Sequence, residues 1–119
     1  MKADLRVAKK YDVKWSDYKS FVDNHIEDFI ELLRLFNVTY TGDIYYDVFN
    51  VKVESYKRMI NKLKHADEQL SKIEKHNLNI ILESIMTTID ELIECLEKYL
   101  NAADLTDGYL HFRFSNNKS

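Results

Sequence analysis

Between Gly42 and Gly108 the chain contains no glycine, and it contains no proline anywhere. These two residue types are the strongest interrupters of regular backbone, so the central region is free to run in long elements. Within it, Leu78, Leu82, Ile85, Ile89, Leu92, Leu96, Tyr99 and Ala103 are spaced alternately four and three apart. Such positions fall on one stripe of a helix and form a coiled-coil-like seam. The spacing predicts a helix over about 77–103. Upstream, Phe21, Val22, Ile26, Phe29, Leu32, Leu33 and Phe36 form an apolar face, with Ser16 or Asp17 placed to cap its first turn. This predicts a helix over about 15–36, with His25 in the middle of its apolar face.

The stretch from Thr41 to Met59 holds a conflict. It is rich in Tyr, Val, Ile and Phe, which favour strands, and Phe49 to Glu54 (FNVKVE) alternates apolar with polar. Its polar residues Asp43, Asp47, Asn50, Glu54, Lys57, Asn61 and Lys64, however, recur at four and three. The opposite helical face then collects Tyr45, Val48, Phe49, Val53, Tyr56, Ile60 and Leu63. Because periodicity outweighs propensity over such a length, the expectation is a helix over about 43–73. Lys52 is the exception, since it falls within the apolar face and would have to extend its ammonium past its neighbours to water.

Only Ala66, Leu70 and Ile73 are apolar between Lys64 and Asn77. One continuous helix of about 60 residues would be roughly 90 Å long. A turn near Glu74 to Asn77, with Asn77 as cap, lets the two seams bury each other as an antiparallel hairpin instead. Near the end of the chain, Tyr109 to Ser115 alternates and follows an Asp-Gly turn signal, which predicts a strand over about 109–114. Its expected partner is a strand over about 5–9, where Leu5 and Val7 alternate. The expected fold is therefore all-α: a single domain over 1–119, a three-helix bundle built on a long antiparallel helical hairpin, with a short terminal β-strand pair.

Composition narrows the functional classes. A hydrophobic content of 45% lies far from that of disordered chains, so a folded body is expected. The net charge of −3 offers no general attraction to nucleic acid or to an anionic membrane, and nucleic acid is not the expected partner. No span of about 20 apolar residues and no secretory signal is present, and Cys95 is the lone cysteine, so the location expected is cytoplasmic. The excess of Lys over Arg, with plentiful Asn, Ile and Tyr, is the coding bias of an AT-rich genome, which suits a phage or other mobile element.

Catalytic chemistry finds little support. The histidines His25, His65, His76 and His111 form no pair at ligand spacing. Cys95 falls among Glu91, Glu94 and Glu97, whose charge raises a thiol pKa and makes it unreactive. Two separate glycines build no phosphate-cradling loop. Asp28-x-x-Glu31 together with Glu91-x-x-Glu94-x-x-Glu97 is the kind of carboxylate set with which small all-helical nucleotide pyrophosphohydrolases hold Mg²⁺. Here the pairs stand far apart in the chain, and Glu91 and Glu94 lie opposite the seam. No catalytic residue, metal or cofactor is expected, and this enzyme reading is kept as an alternative.

What remains is surface. Glu83, Asp90, Glu94 and Glu97 recur at seven, four and three, forming one acidic stripe along the expected third helix. Lys57, Lys62, Lys64, Lys72 and Lys75 make the expected hairpin tip basic. Segregated charge of this kind is either a solvated face or a docking strip. The expected function is a small non-catalytic protein-binding factor, of the inhibitor, immunity or regulatory kind, whose acidic stripe meets another protein. The alternative binding edge is Tyr109, His111 and Arg113 on the terminal strand, and the alternative nucleic-acid reading uses the basic tip. The long seams also expose apolar surface that a second copy in a homodimer would cover.

Overall fold

The computed structural model describes residues 3–7, 26–42, 49–103 and 105–116. Along the chain these form β1 (Ala3–Val7), α1 (Ile26–Leu35), β2 (Tyr40–Gly42), β3 (Phe49–Lys52), α2 (Val53–Lys64), α3 (Ala66–Gln69), α4 (Lys72–Ile85), α5 (Ile89–Ala102) and β4 (Tyr109–Asn116). The strands make one four-stranded antiparallel sheet in the order β1-β4-β3-β2. The protein is thus mixed α and β, and the all-α expectation is corrected. The terminal strands do pair, Leu5 opposite Phe114 and Val7 opposite Phe112, but as half of a larger sheet. Residues 15–25 of the first expected helix, with Trp15, Phe21, Val22 and His25, lie outside the described residues, as do 8–9 and 43–48.

The central correction falls on Phe49 to Lys52. Phe49 stands opposite Phe112 and Val51 opposite Leu110 on one side, while Gly42 and Tyr40 pair with the same two residues on the other. Alternation is the deciding pattern here: Phe49 and Val51 are fully buried, Asn50 is half-buried and Lys52 exposed. Lys52, misplaced on a helix, is in place on a strand whose outer face meets water. Hydrogen bonds from two neighbouring strands outweigh the helical spacing of the polar residues; β2 lies shortly upstream, whereas β4 is distant in sequence.

The helix α2 begins directly where β3 ends. No side chain caps it, and its first N–H, from Val53, donates instead to the carbonyl of Gly108 at 3.0 Å. Gly108, at φ +83, occupies the left-handed region in the turn that leads into β4, a conformation glycine adopts without strain. The hydroxyl of Tyr56 donates to the Leu96 carbonyl at 2.7 Å and ties α2 to α5.

The two expected long helices are each broken. The first break runs from His65 through α3 to Ser71, ahead of the expected turn at Glu74 to Asn77. Ser71 caps α4 in a reciprocal box: its hydroxyl accepts from the Glu74 N–H at 3.2 Å, and Glu74 Oε1 accepts from the Ser71 N–H at 2.9 Å. Donation from the Ser71 backbone N–H, followed by the nearby Ser71 hydroxyl, holds the Glu74 carboxyl below its ordinary value. The second break divides the four-three seam itself. Met86 ends α4 in the left-handed conformation at φ 62, and Thr88 caps α5 by accepting from the Glu91 N–H at 3.2 Å. Leu78 and Leu82 therefore belong to one helix, and Leu92, Leu96 and Tyr99 to another. Both cap motifs, Ser71-x-x-Glu74 and Thr88-x-x-Glu91, are legible in the sequence, and the Ser71 cap stands where Asn77 was the expected one.

Met86 supports a direct prediction. Its side chain is 89% exposed, so it adds little packing while its Cβ strains the left-handed backbone. Met86→Gly is expected to raise stability by about 0.5–1 kcal/mol, read as a higher urea midpoint. A lowered midpoint would mean that Met86 makes a contact stronger than that strain.

Among the described residues, α1, α2 and α5 meet the same face of the sheet. Phe112 lies at the centre of that layer, with ring centroids at 5.9 Å from Phe29 of α1, 5.5 Å from Phe49 of β3, 6.0 Å from Tyr56 of α2 and 5.5 Å from Tyr99 of α5. The helix α4 packs on α1, and Ser84 donates to Asp28 Oδ2 at 3.0 Å across that contact. Among the described residues no helix is long and apolar enough to cross a membrane.

Candidate protein-binding site

The break between α4 and α5 decides the fate of the acidic stripe. Glu83 stays on α4, on the far side of the Met86 turn, while Asp90, Glu94 and Glu97 follow one another along α5. The stripe of four is corrected to a group of three. Their surroundings also differ. Glu97 is half-buried and accepts from Lys64 Nζ at 3.1 Å, which joins α2 to α5; Glu94 lies 3.6 Å from Lys98 on its own helix. Asp90 is exposed in the first turn of α5, where an acidic side chain also suits the positive end of the helix dipole.

Beside Asp90 the structure has a half-open cleft of about 560 Å³, formed where the end of α2 and the short α3 face the start of α5. Leu63, buried, and Ala66, Ile89 and Ile93, half-buried, give it apolar walls. Asp67, Glu68 and Asp90 bring three carboxylates to it, against Lys64, already paired with Glu97. His65 also lines it and donates from Nδ1 to the Asn61 carbonyl at 3.0 Å, which leaves Nε2 as the other hydrogen-bonding atom of the ring. The cleft exists because α2 stops at Lys64: had the helix continued, as the sequence suggested, α3 would not turn its acidic residues toward α5. Asp67 and Glu68 were missed by sequence reading for that reason.

The other candidate residues are dispersed. Lys57 and Lys62 lie on α2 and Lys72 on α4, while Lys64 holds Glu97 and Lys75 Nζ donates to the Asp67 carbonyl at 3.2 Å. The expected basic tip is therefore two helices separated by α3, not one hairpin end. Tyr109, His111 and Arg113 do not form an edge, because β4 is an interior strand, paired with β3 over Tyr109 to Phe112 and with β1 from Phe112 onward. The side chain of Arg113 lies outside the described residues. His111 is held at both ring nitrogens, Nδ1 by Asn50 Oδ1 on the facing strand and Nε2 by Asp107 Oδ2 at 2.7 Å. Partial burial of the Asp107 carboxyl opposes its ionisation, but the bonds from His111 and from the Tyr109 N–H outweigh this and keep it below its ordinary value. This network staples the turn onto the outer face of the sheet.

The carboxylates considered for magnesium do not converge. Glu31 pairs with Arg34 at 2.9 Å, Asp28 accepts from Ser84 on α4, and Glu91 accepts from Thr87 at 3.0 Å. Among the described residues no three His, Cys, Asp or Glu side chains are grouped to hold a metal ion. Cys95, expected on a polar flank, is half-buried and packs against the core.

Compared with known proteins, the chain matches no family model, no curated protein and no solved structure.

Proposed function

We propose that this protein is a small non-catalytic protein-binding factor, and that its binding site is the cleft between α3 and α5 together with the acidic side of α5. The observation that carries this reading is the joining of apolar walls, Leu63, Ile89 and Ile93, to the carboxylates Asp67, Glu68 and Asp90, with Glu94 one turn further along α5. A partner suited to it presents an apolar side chain flanked by Lys or Arg, because burial of an anchor in a small pocket supplies affinity and complementary charge sets register and speeds encounter. Glu97 is excluded from the contact surface, since it already neutralises Lys64.

The test uses a helical peptide with one Leu anchor and four flanking Lys, beside a scrambled version, with association followed by surface-based kinetics. Replacing Asp67, Glu68, Asp90 and Glu94 together by their amides is expected to leave the melting temperature nearly unchanged, since exposed charges contribute about 0–1 kcal/mol per pair. It is expected to slow association about tenfold or more at low ionic strength, and far less in high salt. An unchanged on-rate in low salt, or equal binding of the scrambled peptide, would make this acidic side a solvated face and remove the basis for the reading.

A further inference from the structure

On the side of α4 that faces away from the core, Ile73 is 73% exposed and Ile80 53% exposed. They stand seven residues apart, on one line of the helix about 10.5 Å long. The buried face of the same helix is formed by Leu78, Ile81 and Leu82, so this line is a second apolar stripe on an element whose core contacts are already made.

The charges beside that stripe are placed against the preference of an isolated helix. Lys72 is the first residue of α4, at the positive end of its dipole, and Glu83 is in its last turn, at the negative end. Both are exposed, and neither has an ion-pair partner among the described residues. At 100° per residue, Lys72 and Glu83 fall on the same flank of the Ile73–Ile80 line. A second α4 laid antiparallel over the first, with the two-fold axis between His76 and Asn77, sets each Ile73 level with the other copy's Ile80. The same operation brings each Lys72 within about 3 Å, along the axis, of the level of the other copy's Glu83, on the same flank. It also places each helix's positive end beside the other's negative end. Asn77 near the axis gives the register a polar mark, as a buried Asn does in coiled coils.

We infer that the outer face of α4 is a self-complementary docking surface, on which a second copy of this chain pairs antiparallel through Ile73 and Ile80, with Lys72 and Glu83 as reciprocal ion pairs. The contact is small for a protein interface, so the dimer forms with a dissociation constant on the order of 10–100 µM.

Sedimentation equilibrium of the full chain, loaded from about 5 to 500 µM at low ionic strength, tests it. The native protein is expected to pass from one-copy to two-copy mass over that range. Lys72→Glu and Glu83→Lys, each alone, are expected to raise the dissociation constant about tenfold or more, because each sets like charges together. Mixing these two variants in equal amounts restores association, since opposite charges then meet at both ends, and so does combining both substitutions in one chain. Ile73→Asn with Ile80→Asn abolishes association, with circular dichroism confirming that α4 persists. A native protein that stays monomeric at 500 µM would overturn the inference. So would an Asn double variant that still dimerises, or a mixture of the two charge variants that associates no better than either alone.

Discussion

Phe112→Ala is expected to remove about 3–5 kcal/mol of stability, a large share of the about 5–15 kcal/mol that a domain of this size has in total. The ring is fully buried and is shared by four others, from α1, β3, α2 and α5. Truncation leaves a cavity bounded by side chains on four separate elements, none of which can move inward without dragging its backbone. Aromatic pairs also contribute geometry-dependent attraction beyond the area they bury, and this variant loses four of them. Urea unfolding followed by tyrosine fluorescence measures the effect. A loss under about 1 kcal/mol would mean that the helices do not converge on the sheet at this ring.

A second large effect separates two residues that the sequence treats as equals. Leu96 and Ile89 occupy equivalent positions of the same four-three pattern, seven residues apart. Leu96 is fully buried, and its own carbonyl accepts from Tyr56, so Leu96→Asp puts an unpaired carboxylate in an apolar contact. The expected cost is several kcal/mol, or a carboxyl kept protonated far above its usual range. Ile89 is only half-buried, at the first position of α5, on the wall of an open cleft. There Asp loses part of the apolar burial but gains the favourable end of the dipole, so Ile89→Asp is expected to shift stability by less than about 1.5 kcal/mol. Thermal unfolding of the two variants side by side is the measurement. Equal losses would mean that the seam is continuous and that no break divides α4 from α5.

Much of the molecule is written locally. The buried residues Phe29, Leu32, Leu33 and Phe36 follow directly from helical spacing, as do Tyr56, Ile60 and Leu63, and Leu92, Leu96 and Tyr99. The Asp107-Gly108 turn and the alternation of Leu110 and Phe112 into the core are equally legible, because a left-handed turn residue and a period of two need no distant partner. The two cap motifs were legible too, but a cap contributes about 1 kcal/mol and competes poorly with an unbroken apolar pattern when the pattern alone is weighed. Of the candidate site, Asp90 and Glu94 could be placed on one helical face from spacing, whereas Asp67 and Glu68 could not, since their position depends on where α2 stops.

Composition and spacing by themselves determined that the chain folds, which residues form most of its core, and that Asp90 and Glu94 share one helix. Only the tertiary structure decided that Phe49 to Lys52 is a strand, that α2 starts at Val53, and that the acidic residues divide between two helices. The first two share one physical reason, whereas the third follows from the turn at Met86 and the Thr88 cap. The strand β3 is completed by hydrogen bonds to β4, far along the chain, as well as to the nearby β2, and the start of α2 is satisfied by the carbonyl of Gly108 instead of by a neighbouring side chain. Helical periodicity is a property of one segment, but the partners that override it belong to the whole fold.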